Sequence, residues 1–248
     1  NKKKIILRKI KFLKKYLVCA IPTTAGSGAE VTSNAVIYIG NKKYSFENSS
    51  LLPDHFLLIP SFVLGASKKI KASSGFDAIS QAIESLISLR STNQSVIYAK
   101  KSLNFSIKYF SDFLTKPNNT NSLKMSLAAN FSGKAINISK TTAPHAVSYP
   151  FTSYFGISHG HAVSLTIDKF LLFNYQNIAY SNSNFSLKDR YEILFGLTKT
   201  KNITELIFFL KQLKRNANLV DDFKKLKIDI KRHCPMIIND VNTLRLRN

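Results

Sequence analysis

The strongest constraint on the fold is a change in the spacing of apolar residues near residue 66. Before it, short apolar runs such as Leu17–Ile21 and Phe56–Ile59 alternate with turn residues, which is typical of strands. After it, apolar residues recur at helical spacing, at Phe76, Ile79, Ile83, Leu86 and Ile87. We therefore predict an α/β domain over residues 1–65 and an all-helical domain over residues 66–248.

Turn and capping residues divide these two parts into elements. Tyr16–Ala20 is predicted as a strand, and Val31–Ile39 with Lys42–Phe46 as a hairpin, because Gly40-Asn41 between them is a turn signal. Ser73 or Ser74 is placed to cap the first long helix. Further helices are predicted over Thr92–Leu114, Leu123–Ser139, Lys188–Leu197, Ile203–Lys214 and Val220–Lys227.

Charge and cysteine content limit the classes of partner and compartment. A formal net charge of +22 suits an anionic partner, but the lysines are scattered along the chain, which favours anionic small molecules over nucleic acid. Cys19 and Cys234 are too few for a disulfide framework, so we expect a reducing cytoplasm. No apolar run approaches the ~18 residues of a membrane helix. Basic residues interrupt Lys2–Lys15, which is better interpreted as an amphipathic stretch or an edge element than as a signal peptide.

A carboxylate and an amide are spaced for one face of the first long helix. Asp77 and Gln81 are four residues apart, so they lie one turn apart on the same side. The carboxylate is a candidate metal ligand, with Gln81 as a weak ligand or a hydrogen-bonding neighbour. The alternative is that Asp77 lies on a solvated face and complements the positive helix N-terminus.

Histidines cluster in an otherwise apolar and aromatic segment. Three of the five in the chain, His145, His159 and His161, fall within 17 residues. Neutral imidazoles suit zinc, iron or nickel, and three protein ligands would leave an open position for substrate. Ordinary structural histidines are the alternative.

A run of small and hydroxylated residues follows the first predicted strand, in Thr23-Thr24-Ala25-Gly26-Ser27-Gly28. Small residues allow backbone N–H groups to approach a phosphate closely. An ordinary turn is the alternative for this segment taken by itself.

Taken together, the three segments resemble the iron-containing, or group III, alcohol dehydrogenases. That family has a Pro-Thr-Thr-Ala-Gly-Thr-Gly-Ser-Glu segment, a Gly-x-Asp-Ala-x-x-His-Ala-x-Glu helix and two metal histidines fourteen residues apart. The matching residues here are Gly75, Asp77, Ala78, Ala82, Glu84, His145 and His159. The resemblance implies that residues 1–65 are the remnant of a Rossmann-like nucleotide-binding domain. It also implies that the helical domain is of the dehydroquinate synthase-like type.

The resemblance also implies a metal, a cofactor and a reaction. Asp77, His145 and His159 would bind Fe2+ or Zn2+, and Gln81 takes the place of the family's usual histidine. Hydride would pass between NADH or NADPH and an alcohol or aldehyde, with the metal polarising the aldehyde oxygen. The implied cofactor contacts are Thr23, Thr24, Ser27 and Lys43. We expect small-molecule partners and leave a homodimer open; no catalytic acid or base is assigned.

Within the family, the sequence around Lys134–Gly160 is similar to that of phosphonoacetaldehyde reductases, which implies reduction of phosphonoacetaldehyde to 2-hydroxyethylphosphonate. Lys134 and Lys140 are the candidates for binding the phosphonate, with ordinary surface lysines as the alternative. The family's glycine-rich nucleotide loop has no counterpart and the last helix looks short, so we expect a chain truncated at both ends. An inactive dehydrogenase remnant is therefore one alternative function, and a basic nucleic-acid-binding protein is another.

Overall fold

The computed structural model describes residues 14–39 and 42–241, without the side chains of residues 38, 42 and 43. The strands in this part are β1 (Cys19–Ala20), β2 (Asn34–Ile39), β3 (Lys42–Glu47) and β4 (His55–Phe56). β1 pairs in parallel with β4, and β2 pairs antiparallel with β3. All four precede the α-helices, which confirms the predicted fold class of a strand portion followed by a helical portion.

The predicted hairpin is confirmed, but three strand boundaries were wrong. β2 begins at Asn34 rather than at Val31, because Ala29–Val31 forms a 3-10 turn. The strands predicted over Tyr16–Ala20 and Phe56–Ile59 are only two residues long in the structure, as β1 and β4, and they pair with each other. The Gly40-Asn41 turn and nearly all of Lys2–Lys15 lie outside the described residues.

Ten α-helices lie between residues 60 and 239 of the described chain. They are α1 (Pro60–Leu64), α2 (Lys68–Ile87), α3 (Asn93–Thr115), α4 (Asn119–Ser139), α5 (Ala143–Phe155), α6 (His159–Ser164), α7 (Ile167–Gln176), α8 (Leu187–Thr198), α9 (Ile203–Asn216) and α10 (Ile230–Asn239). None of these helices is long and apolar enough to cross a membrane.

Helix α2 lies at the centre of the helical part and is packed against α3, α4, α6 and α8. Its predicted apolar stripe is confirmed as core, with the five side chains from Phe76 to Ile87 at most 4% exposed. Burial of each contributes roughly 1.5–3 kcal/mol to stability. The predicted cap at Ser73 or Ser74 was wrong, because the Ser67 hydroxyl accepts from the Ile70 N–H at 3.3 Å and starts the helix earlier.

Reciprocal caps explain where the next two helices begin. The Thr92 side chain accepts from the Ser95 N–H and the Ser95 hydroxyl accepts from the Thr92 N–H, so α3 starts where predicted. Asn118 and Asn121 make the same exchange at 2.9 Å each. This second pair starts α4 four residues before the predicted Leu123.

The helix predicted over Val220–Lys227 was wrong. Residues 223–227 form turns, with the Ile228 N–H bonded to the Phe223 carbonyl at 2.8 Å and Lys227 at a φ of 57°. Tertiary contacts hold the start of this segment: the Val220 carbonyl bonds His161 and the Asp221 carboxylate pairs with Lys214. These contacts override the apolar spacing that favoured a helix.

Helices α1, α5, α6, α7 and α10 were not predicted. Helix α5 contains two prolines, of which Pro144 lies in the first turn, where its missing N–H has no helical partner to lose. Pro150 lies inside α5, and Pro235 likewise lies inside α10. Packing thus stabilises both helices against the cost of an internal proline.

The strand part is joined to the helical part where two glycines meet. A Cβ at Gly133 of α4 would lie 2.7 Å from the Gly28 carbonyl oxygen, so only glycine permits this approach. Two side-chain bonds flank it: Asn130 donates to buried Glu30 at 3.0 Å, and Asn137 accepts from the Ser33 N–H at 3.0 Å. The turn at residues 23–28 is therefore fixed directly on α4.

Gly133→Ala should destabilise the protein even though alanine is the better helix former. The new Cβ has backbone within 3 Å and must push the turn away, at a cost of about 1–3 kcal/mol in the free energy of unfolding. Urea denaturation followed by circular dichroism measures the effect. Gly196→Ala in α8 is the matched control, because nothing lies within 4 Å of its new Cβ. That variant should be neutral or more stable, and equal destabilisation of both would contradict the close contact.

Candidate metal centre

Asp77 lies in the middle of α2, not on a solvated face. It is 4% exposed and Gln81 is 3% exposed, so the solvated interpretation of this pair was wrong. The Gln81 side-chain NH2 donates to Asp77 Oδ2 at 3.1 Å, and its carbonyl oxygen accepts from the Ser132 hydroxyl of α4 at 2.9 Å. In this arrangement Gln81 holds the carboxylate by a hydrogen bond.

His145 is oriented from the start of α5 by a second carboxylate of α2. Glu84 is 0% exposed, and its Oε1 accepts from both the N–H and the hydroxyl of Thr142 at 2.8 Å. Its Oε2 contacts Nδ1 of His145. With Nδ1 bonded to Glu84, Nε2 of His145 lies 3.2 Å from Oδ1 of Asp77.

His159 enters the site at the first residue of α6. A Cβ on the next residue, Gly160, would lie 2.0 Å from the Ser73 carbonyl oxygen and 2.8 Å from the Asp77 Cβ. Only glycine therefore allows α6 to approach α2 beside Asp77. The Ser148 hydroxyl lies 3.4 Å from His159 Nδ1, and His159 Nε2 lies 3.9 Å from the same Oδ1 of Asp77.

These contacts bring three candidate ligands together from three helices. One ligand atom from each of Asp77, His145 and His159 lies within 4.8 Å of the other two, and both histidines direct Nε2 towards the carboxylate. Asp77 and His145 are buried, whereas 34% of the His159 side chain is exposed, so the cluster is reached from the His159 side. Two imidazole nitrogens and a carboxylate oxygen form a donor set that suits divalent iron or zinc.

The electrostatics of the cluster favour a positive charge. Burial by itself lowers the pKa of His145, but the Glu84 and Asp77 carboxylates outweigh it and raise that pKa to about 9. Two buried carboxylates are therefore compensated either by a proton on His145 or by a cation bound between the side chains. The residues present fit a divalent metal ion.

His161 does not join this cluster. Its Nε2 lies 2.6 Å from the Val220 carbonyl oxygen, and burial is the main cause that lowers its pKa. Of the three clustered histidines, the structure thus brings together the two that are fourteen residues apart. The third, His161, holds the segment after α9 through its contact with the Val220 carbonyl oxygen.

The candidate cofactor turn lies against α2, the same helix that carries Asp77 of the candidate metal site. Thr23, Thr24 and Ser27 are exposed, while a Cβ at the buried Gly26 between them would lie 2.8 Å from Ser74 of α2. Ser74 is the neighbour of Ser73, which contacts Gly160. The Lys43 backbone pairs with Tyr38 in the hairpin, and its side chain lies outside the described residues.

The two candidate substrate lysines have different surroundings. Half-buried Lys134 in α4 places Nζ 5.5 Å from the ring centres of Phe56 and Phe131. Lys140 follows α4, forms an ion pair with Glu47 of β3 and donates to the Asn137 carbonyl at 2.7 Å. Lys134 is therefore the less constrained of the two.

Four residues that shape this centre have no role predicted from the sequence. Glu84 is a motif position only, and no role is predicted for Ser132, Ser148 or Gly160. A glycine between two histidines was the one available signal, because such a position indicates close backbone approach. The serines carry no sequence signal, since their partners lie 51 and 11 residues away.

Comparisons with known proteins give independent information on the family of this chain. A family model for the C-terminal part of Fe-containing alcohol dehydrogenases matches residues 71–241, and one for iron-containing alcohol dehydrogenases matches residues 3–60. A phosphonoacetaldehyde reductase of Streptomyces viridochromogenes is 32% identical over 161 residues, which are 64% of this chain and 41% of that protein. A 1-propanol dehydrogenase of Salmonella typhimurium is 31% identical over 158 residues, 62% of this chain and 43% of that protein.

Solved structures show the same likeness. Sulfoacetaldehyde reductase from Bifidobacterium kashiwanohense, in complex with NAD+, superposes with a TM-score of 0.84 at 27% identity, over 95% of this chain and 61% of that chain. The chain spans less than half the length of the two curated relatives. Since the first family model covers more than half of its residues, the chain belongs to the iron-containing alcohol dehydrogenase family.

Proposed function

We propose that Asp77, His145 and His159 hold one divalent metal ion, iron or zinc. The main support for this proposal is that one ligand atom from each of these residues lies within 4.8 Å of the other two. Each ligand is held by a neighbour: Asp77 by Gln81, His145 by Glu84, and His159 by Ser148. Ligands fixed in this way need little reorganisation to bind, which favours a genuine site over a chance cluster.

The proposed reaction is hydride transfer between a nicotinamide cofactor and an alcohol or aldehyde. A metal ion in this cluster would supply Lewis-acid polarisation of the carbonyl oxygen, and NADH or NADPH would supply the hydride. The exposed hydroxyls of Thr23, Thr24 and Ser27 would bind the cofactor, with Lys43 as a further contact. Because Gly26 and Gly160 contact adjacent residues of α2, the cofactor turn and the metal cluster are held side by side.

An aldehyde with an anionic head group is the proposed substrate, with phosphonoacetaldehyde as the first candidate. Two similar proteins are named for the reduction of phosphonoacetaldehyde and sulfoacetaldehyde, which share an acidic head group. Lys134 is the better candidate to bind it, because Lys140 is already paired with Glu47. The similarity to a 1-propanol dehydrogenase supports a neutral substrate as the second candidate.

His159→Ala should abolish stoichiometric metal binding. The wild type should retain about one iron or zinc ion per chain after dialysis, and loss of one of three ligands should lower that content sharply. Elemental analysis of the purified proteins gives the result. The control is His161→Ala, which removes a histidine from the same helix but not from the cluster. Equal metal content in the wild type and His159→Ala, or equal loss in both variants, would contradict the proposed ligand set.

Glu84→Gln should weaken metal binding without removing a ligand. The amide presents an NH2 group that meets either the Thr142 donors or Nδ1–H of His145, so the imidazole loses its orienting acceptor. Loss of such a partner typically costs roughly 10- to 100-fold in metal affinity. Competition with a chelator of known affinity measures it, and Glu192→Gln on the exposed surface of α8 is the control. Unchanged affinity in Glu84→Gln would show that His145 needs no such partner.

Lys134→Gln should weaken binding of an anionic alcohol but not of a neutral one. A charge-assisted hydrogen bond to a phosphonate contributes on the order of 1.5–3 kcal/mol, or roughly ten- to a hundredfold in affinity. Calorimetric titration of metal-loaded protein with 2-hydroxyethylphosphonate and with 1-propanol compares the affinities for the two alcohols without requiring turnover. Lys140→Gln, tested in parallel, should have the smaller effect. If neither variant changes phosphonate binding, both lysines are surface charges.

A further inference from the structure

A cavity lies between α7, α9 and the turns that follow α9, and the proposed reaction does not use it. Its volume is about 800 Å3, within the range of roughly 300–1,000 Å3 usual for small-molecule sites. Helices α7 and α9 contribute apolar side chains to its wall, including Leu172 and Ile207. The remaining wall is mostly charged, so the cavity offers both apolar surface and charge.

A buried lysine anchors the charged wall of this cavity. Lys214 is 1% exposed, and its ammonium pairs with Asp168 at 3.2 Å and with Asp221 at 2.9 Å. It also lies 3.3 Å from the Ser164 carbonyl oxygen at the end of α6. These contacts fix the wall of the cavity, because breaking a buried ion pair typically costs about 3–5 kcal/mol.

The carboxylates of the wall already have partners. Asp168 and Asp221 are paired with Lys214, Lys169 also lies 3.5 Å from Asp168, and Asp222 accepts from the Lys224 N–H at 2.9 Å. A ligand cation would have to compete with these partners. The wall therefore does not favour a cation.

Three cations of the wall have no carboxylate partner among the described residues. Lys211, Arg215 and Lys225 are exposed and form no ion pair with any residue in the described part of the chain. Lys211 and Arg215 are four residues apart on α9, where like charges on one helix face repel each other. The wall holds five cationic and three acidic side chains, which leaves two positive charges.

We propose that this cavity binds a phosphate-bearing small molecule, with the phosphate dianion held by Lys211, Arg215 and Lys225. A dianion matches the two excess positive charges, and a guanidinium binds phosphate oxygens in a bidentate manner. Leu172 and Ile207 would contact the uncharged part of the ligand. The site is separate from the metal cluster and shares no residue with it.

Calorimetric titration with pyrophosphate at constant ionic strength tests the proposal. The wild type should bind one equivalent saturably, and the double variant Lys211→Gln/Arg215→Gln should bind on the order of tenfold more weakly or worse. Both side chains are exposed, so the variant should fold. The control, Lys100→Gln/Lys108→Gln, removes the same charge from exposed positions on α3 and should bind as the wild type does.

Two further outcomes separate this site from other sources of anion binding. Anions also coordinate metal ions, so the titration is repeated after treatment with a chelator, and the isotherm should not change. A pyrophosphate isotherm lost with the metal would place binding at the metal cluster and overturn the proposal. So would the absence of saturable binding, or an equal loss of affinity in both double variants, which would indicate only the general attraction of a chain with a net charge of +22.

Discussion

Two carboxylates buried in the central helix determine how the rest of the site is built. Asp77 and Glu84 are seven residues apart, which places both on one face of α2, and they are 4% and 0% exposed. An unpaired buried carboxylate costs several kcal/mol, so the surrounding elements must supply donors or positive charge. Glu84 receives the Thr142 and His145 donors, and Asp77 receives the Gln81 amide and faces both imidazoles. The convergence of Asp77, His145 and His159 follows from meeting this requirement.

Close backbone contacts place α6 and the turn at residues 23–28 against the same helix. Gly160 brings α6 onto Ser73 and Gly26 brings the hydroxyl-rich turn onto Ser74, so two neighbouring residues of α2 set the relative positions of His159 and the turn. On the far side of the turn, Gly28 meets Gly133 of α4. A Cβ at any of these glycines would lie within 3 Å of a neighbouring segment and would force the two segments apart. The arrangement of the site therefore depends on the absence of a Cβ at these glycines as well as on the side chains around them.

Local spacing in the sequence predicted the apolar stripe of α2, which is core in the structure. The choice of His145 and His159 from the three clustered histidines came instead from the resemblance to iron-containing alcohol dehydrogenases. Burial of Asp77 was not predictable in this way, because it results from packing of α3, α4 and α6 around α2 rather than from the pattern of α2 itself. The segment Val220–Lys227 shows the same limit. Its apolar spacing favours a helix, but Val220 instead contacts His161, 59 residues away, and Asp221 contacts Lys214, seven residues away.

The orientation of the Gln81 amide determines whether this side chain can be a metal ligand. Its NH2 group faces Asp77 and its oxygen faces Ser132, so in this orientation it presents a donor, not a lone pair, to the site. Turning the amide over would set its oxygen against a carboxylate, which is repulsive, so the hydrogen-bond network opposes coordination by Gln81. A metal ion here would be held by Asp77, His145 and His159, and the site is reached from the exposed side of His159. Glutamine in place of the family's usual histidine would thus leave this chain one metal ligand fewer, while Gln81 still donates a hydrogen bond to Asp77.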